Sequence, residues 1–180
     1  MCSSNDDNSI DGKKAALRKD VLIKLKNFSK REEESLLIVK EIKALRIYQE
    51  ASLILAFYPL ATEPNIKILL SDPRVALPFI DNNEMFFSKS KKLIKSRLGF
   101  LEPEHNPIKI EKALMLTPLV AFDKRLYRLG RGGGFYDRFI SQNRENLTII
   151  GLAFSPSLVE TTFHQEFDQK LDHVICPTFS

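Results

Sequence analysis

The sequence predicts a single-domain α/β protein with three layers, in which helices cover both faces of an open, mostly parallel sheet. Short, nearly continuous apolar runs alternate along the chain with segments of helical periodicity, a pattern typical of strands that are buried on both faces. The 180 residues are 43% hydrophobic and 28% charged, as expected of one globular domain with a sizeable core. We therefore predict a disordered tail over residues 1–11 and one domain over residues 12–180.

Two amphipathic helices are predicted before the first strand. In the first, which extends from Gly12 to Lys26, apolar residues recur at helical spacing at Leu17, Val21, Leu22 and Leu25. Residues 29–32 read Ser-Lys-Arg-Glu, which has the form of a capping box. This box predicts the start of a second helix, which ends at about Leu45.

Six apolar runs predict the strands of the sheet. They comprise residues 52–58, 75–79, 85–87, 113–122, 148–154 and 173–176. Ligands bind beyond the carboxyl ends of strands in open α/β sheets, so we expect the loops after the first and fourth runs to carry the site. Tyr58 and Glu63 fall in the first of these loops. Glu63 has an alternative role as the N-terminal carboxylate of a short helix predicted over residues 65–70.

A glycine-rich loop follows the predicted strand at 113–122. Four of the seven glycines lie between positions 130 and 134, in the run Arg-Leu-Gly-Arg-Gly-Gly-Gly-Phe-Tyr-Asp that ends at Asp137. Glycine in this density lets backbone N–H groups approach an anion closely. The next residues predict a helix over 135–140, whose N-terminus also favours an anion. Asp137 lies in the first turn of that helix, where it either stabilises the helix dipole or holds a divalent cation. The plainer alternative is a flexible turn with two solvated arginines.

This loop resembles the signature of one enzyme family. It lacks the Lys-Ser or Lys-Thr of a Walker motif, and Phe135 stands where a dinucleotide fingerprint has its last glycine. Together with Phe122 and Asp123 ahead of it, the run resembles the signature of the 5-formyltetrahydrofolate cyclo-ligases, also called methenyltetrahydrofolate synthetases. That signature reads Phe-Asp, a short spacer, then Arg-Leu-Gly-Arg-Gly-x-Gly-aromatic-Tyr-Asp, and every position fits.

Other segments resemble the family in the same order along the chain. Lys14 to Arg18 match a Lys-x-x-Leu-Arg element that contacts ATP in the family, and the two basic residues lie four apart on one helix face. On its own such a pair is more often a solvated helix face. Near the C-terminus the family commonly reads Glu-His-Asp-x-x-Leu-Asp. Here Asp168 and Asp172 are kept and Phe167 replaces the histidine, which removes any role for an imidazole there.

The resemblance implies an ATP- and Mg²⁺-dependent ligase that converts 5-formyltetrahydrofolate to 5,10-methenyltetrahydrofolate, ADP and phosphate. The implied catalytic residues are Lys14, Arg128 and Arg131. The implied ATP contacts are Lys14, Ala15, Ala16, Leu17, Arg18, Arg128, Leu129, Gly130, Arg131, Gly132, Gly133, Gly134, Phe135 and Tyr136. The implied folate contacts are Tyr58, Glu63, Met85, Arg131, Gly132, Gly133, Gly134 and Phe135. The implied metal ligands are Asp137 and Asp168, with Asp172 as the rival of Asp168.

Two further segments have a structural and a functional interpretation. Met85 and Phe87 are either core residues, the usual role of methionine beside aromatics, or part of a wall against the pteridine ring. The run Lys89 to Arg97 carries five positive charges and no acid. It predicts either a solvated basic patch or a site for the glutamate tail of a polyglutamylated folate.

Composition narrows the class of protein and its partners. Cys2 and Cys176 are too few for a disulfide framework and lack metal-ligand spacing. No apolar run approaches the length of a membrane span, and residues 1–8 lack the features of a signal peptide. We therefore expect a cytoplasmic, monomeric protein with no membrane partner. The formal net charge of +4 suits an anionic ligand.

Two other classes of function stay open. An RNA-binding module would use the basic segments and the glycine-rich loop, but the aromatic residues show no pattern of a stacking platform. Four carboxylates would also repel a phosphate backbone, so no nucleic-acid partner is expected; they are Asp123, Asp137, Asp168 and Asp172. A non-catalytic regulator on the same scaffold would bind folate or phosphate without turnover.

Overall fold

The computed structural model describes residues 9–96, 99 and 101–179. The helices in this range are α1 (Ile10–Asn27), α2 (Arg31–Ala44), α3 (Arg46–Glu50) and α4 (Phe135–Asn143). The strands are β1 (Ile54–Leu55), β2 (Val75–Asp81), β3 (Glu84–Ser88), β4 (Leu93–Lys95), β5 (Leu101–Pro103), β6 (Ala113–Pro118), β7 (Ala121–Phe122), β8 (Arg128–Leu129), β9 (Leu147–Leu152) and β10 (His173–Ile175). Single 3₁₀ turns lie at Lys67–Leu69, Arg144–Asn146 and Ser155–Ser157.

Six strands form one open sheet in the order β10-β9-β6-β1-β2-β3. Neighbouring strands from β10 to β2 run parallel, and β3 is an antiparallel edge strand paired with β2. The turn between β2 and β3 uses Asn82 and Asn83 at φ angles of 46° and 65°, a left-handed conformation that asparagine tolerates. The remaining strands form two small antiparallel pairs, β4 with β5 and β7 with β8. The predicted open, mostly parallel sheet is therefore confirmed.

Helices cover both faces of the sheet, which confirms the three-layer prediction. Successive strand side chains enter two different cores, because they point to opposite faces of the sheet. Ile54 belongs to the core beneath α1 and α2, whereas Leu55 belongs to the core beneath α4. Leu114 and Leu116 likewise face α1 and α2, and Met115 faces α4. The apolar runs of the sequence follow from this burial on both faces.

The direction of chain progression through the sheet reverses next to β1. The chain passes from β1 to β2 on one side of it and later returns to β6 on its other side. At such a reversal the connections diverge and leave a crevice beyond the carboxyl ends of the two strands. Tyr58 and Glu63 follow β1, and the glycine-rich loop follows β6 after the β7–β8 hairpin. The topology therefore brings the two predicted site loops to one crevice.

The first two helices differ from their predicted starts. α1 begins at Ile10, because Oγ of Ser9 accepts a hydrogen bond from the Gly12 amide at 3.0 Å and caps the helix. α2 begins at Arg31, and the side chain at its N-cap makes no capping hydrogen bond. The capping box predicted at residues 29–32 is therefore wrong. Three glutamates in the first turn of α2 still favour its dipole.

Several strands are shorter than the apolar runs that predict them. The run 52–58 pairs only at β1, and the run 113–122 divides into β6 and β7 after Pro118, which has no amide hydrogen to continue the ladder. The helix predicted over 65–70 is a single 3₁₀ turn. No strong periodicity marks α3, β4, β5 and β8, which are only two to five residues long.

The N-terminal tail is covered only in part. Ile10 and Asp11, predicted to belong to the tail, are the first residues of α1. Residues 1–8 lie outside the described range, so the rest of the tail and the domain bounds stay predictions. Among the helices that the structure describes, none combines the length and apolar character needed to cross a bilayer.

Candidate active site

A cavity of about 880 Å³ lies beyond the carboxyl ends of β1 and β6. One wall is polar and comes from α1, the glycine-rich loop and residues 165–169, and another is largely apolar and comes from β2, β3 and β5. The predicted site residues that line it are Lys14, Arg18, Tyr58, Glu63, Met85, every residue from Arg128 to Asp137, and Asp168. Segments more than a hundred residues apart in sequence thus meet in one crevice.

Helix α1 contributes two cations to the polar wall. Lys14 and Arg18 line the cavity from one face of the helix, as their spacing predicts. Ala15 and Ala16 are exposed, and Leu17 packs against the core beneath α1. These three predicted ATP contacts are not among the lining residues, because the helix turns them onto its other faces.

The glycine-rich loop needs glycine at two of its positions. Gly132 and Gly134 have φ angles of 104° and 66°, where a residue with a Cβ atom is strained. Gly134 is also the N-cap of α4 and brings no side chain to cap the first turn, so the amides of that turn are left for an anion. Arg18 holds the loop in place, since its Nε donates to the carbonyl of Gly130 at 2.8 Å.

Arg131 is anchored along one edge of its guanidinium. Its Nε donates to Oε1 of Glu63 at 3.1 Å, and its Nη2 donates to Oγ1 of Thr62 at 2.7 Å. The side chain is still 42% exposed, so the rest of the guanidinium faces the cavity. Oε2 of Glu63 accepts a hydrogen bond from the Leu60 amide at 2.9 Å. Both oxygens of the buried Glu63 are therefore engaged, and one of them positions Arg131.

Arg128 is almost completely enclosed, with its side chain 2% exposed. Its Nη2 lies 3.1 Å from Oδ1 of Asp137, and its Nη1 donates to the carbonyl of Gln169 at 3.1 Å. The amide of Gln169 in turn donates to Oδ1 of Asp137 at 3.0 Å. These bonds fasten the segment 165–169 to the glycine-rich loop.

Lys14 already has an anionic partner. It forms an ion pair with Asp168, and its Nζ also donates to Oε1 of Gln165 at 3.1 Å. The carboxylate of Asp168 accepts a further hydrogen bond from the Gln165 amide at 2.7 Å. Phe167, which is 64% exposed, lies with its ring 5.4 Å from Nζ of Lys14. A phosphate that binds Lys14 must therefore displace or share Asp168.

Asp137 and Asp168 fit a magnesium ion that is held jointly with phosphates. Among the contacts of the described residues, Asp137 uses only Oδ1 and Asp168 uses only Oδ2, so one oxygen of each carboxylate stays available. No group of three or more His, Cys, Asp or Glu side chains suited to a metal occurs in the described ranges. A pair of carboxylates would suit Mg²⁺, which prefers one or two carboxylates completed by phosphate oxygens and water.

Asp172, the rival metal ligand, has a structural role in this arrangement. It forms an ion pair with Arg144 and accepts a hydrogen bond from the Ile149 amide at 2.8 Å, and it is not among the residues that line the cavity. Burial opposes its ionisation, but the hydrogen bonds from Arg144 and from the Ile149 amide outweigh this effect and lower the pKa of Asp172. The structure thus separates Asp172 from Asp137 and Asp168.

Asp123 explains the Phe-Asp part of the signature. It is fully buried, and its carboxylate accepts hydrogen bonds from the Thr162 amide at 3.1 Å, the Thr162 hydroxyl at 2.9 Å and the Arg125 amide at 3.0 Å. Burial alone would raise its pKa, but these bonds lower the pKa of Asp123 below its usual value. Asp123 therefore shapes the β7–β8 hairpin that presents Arg128 to the site.

Four aromatic and sulfur side chains are predicted near the folate, and they separate into two groups. Phe135 lines the cavity from the glycine-rich loop. Tyr58 and Met85 line the cavity, whereas Phe87 packs 5.0 Å from Phe139 in the core beneath α4.

Tyr136 lines the cavity from the glycine-rich loop. Burial raises the pKa of the Tyr136 phenol, and the nearby Glu63 charge raises it further, so this hydroxyl stays protonated.

The basic run at residues 89–97 is partly committed to the fold. Nζ of Lys91 donates to the carbonyls of Leu70, Asp72 and Val75 at 3.0, 3.1 and 3.3 Å. Lys92 forms an ion pair with Glu104 at 2.6 Å. Arg97 lies outside the described residues. Two of the four cations that the structure describes in this run are thus bound by the protein itself, which weakens the interpretation of the whole run as a site for a glutamate tail.

The apolar wall contains residues that the sequence analysis does not single out. They include Phe57, Leu77, Phe79, Ile80 and Leu101, together with the buried carboxylate of Glu102. On the polar wall, Gln165 and Gln169 also line the cavity. From sequence alone, apolar residues of a strand are predicted to lie in the core. No local pattern distinguishes them from apolar residues at the carboxyl end of the strand that face a cavity. Glu102 has a signal, since it is a lone carboxylate between Leu101 and Pro103.

Comparison with known proteins agrees with this architecture. The sequence profile of the 5-formyltetrahydrofolate cyclo-ligase family matches residues 10–177. A 5-formyltetrahydrofolate cyclo-ligase of Haemophilus influenzae is 39% identical over 87 residues, which cover 45% of this chain and 46% of that protein. The protein of the same name from Escherichia coli K12 is 34% identical over 108 residues, 56% of this chain and 59% of that protein. The chain thus matches about half the length of these curated relatives.

Two solved structures share the fold over nearly their whole length. The NMR structure of Aquifex aeolicus 5,10-methenyltetrahydrofolate synthetase has a TM-score of 0.77 at 26% identity, covering 92% of this chain and 90% of that one. The 5,10-methenyltetrahydrofolate synthetase of Mycoplasma pneumoniae has a TM-score of 0.71 at 25% identity, covering 90% of this chain and 97% of that one. The family profile spans nearly all of the sequence, and the glycine-rich signature lies in the crevice that the fold predicts, so this chain belongs to the 5-formyltetrahydrofolate cyclo-ligase family.

Proposed function

We propose that this protein is an ATP-dependent ligase that converts 5-formyltetrahydrofolate to 5,10-methenyltetrahydrofolate with release of ADP and phosphate. The observation that carries the proposal is one cavity in which anchored cations and glycine-loop amides adjoin an apolar wall. The cations and amides suit the phosphates of ATP. The apolar wall suits a flat ring system. The names of the relatives support the choice of substrate.

The chemistry explains why no protein nucleophile is needed. The oxygen of a formamide is a poor leaving group, so the formyl oxygen first takes the γ-phosphoryl group of ATP and becomes an imidate phosphate. The folate N10 then attacks the formyl carbon and loses its proton, and inorganic phosphate leaves as the ring closes. The protein has to align the formyl oxygen with the γ-phosphate and to neutralise the charge that spreads over the phosphate oxygens.

Arg131 is the residue that we assign to the transferring phosphoryl group. Its guanidinium is fixed along one edge by Glu63 and Thr62, and its other edge faces the cavity. A donor that is fixed before the reaction stabilises developing charge without reorganising. Glu63 then acts as a positioning residue through Arg131, and its direct contact with folate stays a prediction.

Lys14 and Arg128 receive different roles in this proposal. Lys14 lies at the cavity surface and exchanges part of its ion pair with Asp168 for a phosphate oxygen of ATP. Arg128 is enclosed and bound to Asp137 and Gln169, so we assign it to positioning the loop rather than to contact with the reacting atoms.

The magnesium ion that accompanies ATP would be held by Asp137 and Asp168. Both carboxylates line the cavity, and each has one oxygen outside its contacts within the protein. When bound, the ion would supply positive charge to the phosphate oxygens. Asp168 lies beside Lys14, so binding of the nucleotide and release of this ion pair would accompany each other.

The direct test is to mix the protein with ATP, Mg²⁺ and 5-formyltetrahydrofolate and to follow the absorbance of the methenyl product. We expect product to appear only when ATP is present, with one ADP formed per methenyltetrahydrofolate. Binding of folate and ATP without product would favour the non-catalytic regulator. RNA retention without folate binding would favour the RNA-binding module. The predictions of a monomeric, cytoplasmic protein and of a polyglutamylated substrate stay predictions.

A further inference from the structure

Glu102 of β5 is a buried carboxylate in the apolar wall of the cavity. Glu102 is only 5% exposed, and it lines the cavity beside Phe79 of β2 and Leu101. An ionised carboxylate is costly to bury among apolar groups unless hydrogen-bond donors pair with it. Glu102 therefore needs hydrogen-bond donors, which can come from the protein and from the molecule that fills the cavity.

The protein supplies one of these donors and fixes the orientation of the carboxylate. Nε2 of His105 lies 3.0 Å from Oε1 of Glu102. The imidazole stacks on Phe79 with ring centres 4.4 Å apart and planes inclined by 18°, and Phe79 also stacks with Phe86 at 5.7 Å. Among the contacts of the described residues, none reaches Oε2 of Glu102. One oxygen is thus held, and the other is left for a ligand.

We propose that Glu102 recognises the pterin ring of the folate by accepting hydrogen bonds from its N3–H and 2-amino groups. This inference rests on the proposed function. The two N–H groups are adjacent and point the same way, so they match a carboxylate as the edge of a guanidinium does. They lie on the ring that does not carry N5. Glu102 therefore determines specificity and orientation at the end remote from the reacting atoms, and His105 is its positioning residue.

The donor pattern separates this ligand from the adenine of ATP, which could otherwise enter an apolar wall. The 6-amino group of adenine lies between two ring nitrogens that accept hydrogen bonds. A carboxylate facing that group gains one hydrogen bond and places its second oxygen against a lone pair. The pterin edge instead presents donors to both oxygens, so the chemistry favours the folate.

The first experiment compares Glu102→Gln with Glu104→Gln. The glutamine keeps the size of the side chain but replaces one acceptor with a donor, so we expect the Kd and the KM for 5-formyltetrahydrofolate to rise by about 10-fold to 100-fold, the scale of a lost charge-assisted hydrogen bond. The Kd for ATP should not change, and kcat should change little. Glu104 is two residues away, is bound to Lys92 and does not line the cavity, so Glu104→Gln should match the wild type.

A second experiment needs no variant. An analogue of 5-formyltetrahydrofolate without the 2-amino group should bind the wild-type protein about 10-fold or more weakly than the parent compound. The Glu102→Gln variant should lose much less affinity when the 2-amino group is removed from the ligand, because the partner of that amino group is already lost. His105→Ala should raise the KM for folate without lowering kcat.

Three outcomes would decide whether Glu102 recognises the pterin ring and whether the protein is a ligase. Equal binding of the analogue and the parent by the wild type would overturn the proposal, as would a Glu102→Gln variant that loses affinity for ATP but not for folate. A wild-type protein that shows the expected pterin selectivity but makes no methenyl product would support the recognition and refute the ligase activity.

Discussion

Glu63 holds Arg131 at a fixed point of the crevice. The two side chains meet at 3.1 Å between Oε1 and Nε, and the neighbouring Thr62 accepts a second hydrogen bond from the same guanidinium at 2.7 Å. Glu63 follows β1, whereas Arg131 belongs to the glycine-rich loop that follows β8. A contact between residues 68 positions apart thus connects the two loops that meet where the strand order reverses.

Arg131→Ala should lower kcat by about 100-fold or more, the scale of losing one preorganised charge donor. Glu63→Gln should have a smaller effect, about 10-fold, because the guanidinium stays present but loses its charged anchor. The double variant should be no worse than Arg131→Ala, since Glu63 acts through Arg131. Steady-state kinetics of all three variants measure this, with Arg46→Ala on the exposed surface of α3 as the control. Fully additive losses would give Glu63 an independent role, such as contact with folate.

Gly134→Ala should lower the free energy of unfolding by about 1–2 kcal/mol, because Gly134 has a φ angle of 66° and an L residue is strained there. The new Cβ would also lie 2.7 Å from Nη1 of Arg138. Gly130→Ala is the matched control in the same loop, since a Cβ there meets no atom within 4 Å, and it should change stability by less than about 0.5 kcal/mol. Urea unfolding compares the two. Equal effects would show that the loop relaxes around either methyl group.

Asp123→Asn should destabilise the fold at neutral pH and remove part of its sensitivity to acid. The folded-state pKa of Asp123 is lowered, because hydrogen bonds to Thr162 and Arg125 outweigh the effect of burial. Its contribution to stability is therefore fully present above the unfolded pKa of about 3.9 and is lost as pH falls through the folded pKa. The wild type should exceed Asp123→Asn by about 2 kcal/mol or more at pH 7, and by less below about pH 4.

Urea unfolding at several pH values measures this difference, with Asp20→Asn as the control. Asp20 is an exposed residue of α1, so its replacement should shift stability little at any pH. A difference between wild type and Asp123→Asn that stays constant from pH 7 to pH 3 would show that the charge of Asp123 contributes nothing.

The layers of the fold are predictable from sequence because burial on both faces makes strands such as 113–118 continuously apolar. The glycine-rich loop is predictable because only close backbone approach or left-handed φ angles justify four glycines in five residues. Short elements such as β4 and β5 are not predictable in this way, since they are specified by tertiary contacts rather than by periodicity. The capping box predicted for α2 is wrong for a related reason. Ser29 and Glu32 have the right spacing, but Lys30 occupies the N-cap position.

The interactions between site residues are harder to predict from sequence than the site residues themselves. Lys14 and Arg131 can each be identified from sequence, but their ion pairs with Asp168 and Glu63 connect segments far apart along the chain. The burial of Arg128 depends on residues 165–169, and this distinguishes a positioning arginine from one that faces the ligand. Glu102 has a weak signal in the sequence, as a lone carboxylate between Leu101 and Pro103, but its place in the cavity wall follows only from the packing of β5 near β2.

Asp137→Asn and Asp168→Asn should each raise the Mg²⁺ concentration needed for half-maximal activity by about 10-fold, since each removes one charged ligand. If the two residues share one ion, the double variant should lose much less than the product of the single effects. Calorimetric titration with ATP gives a readout independent of turnover, because Mg²⁺ should strengthen ATP binding less in either variant than in the wild type. Asp172→Asn is the control, since Asp172 is bound to Arg144 away from the cavity. A raised Mg²⁺ requirement in Asp172→Asn, with wild-type behaviour in Asp168→Asn, would transfer the metal role to Asp172.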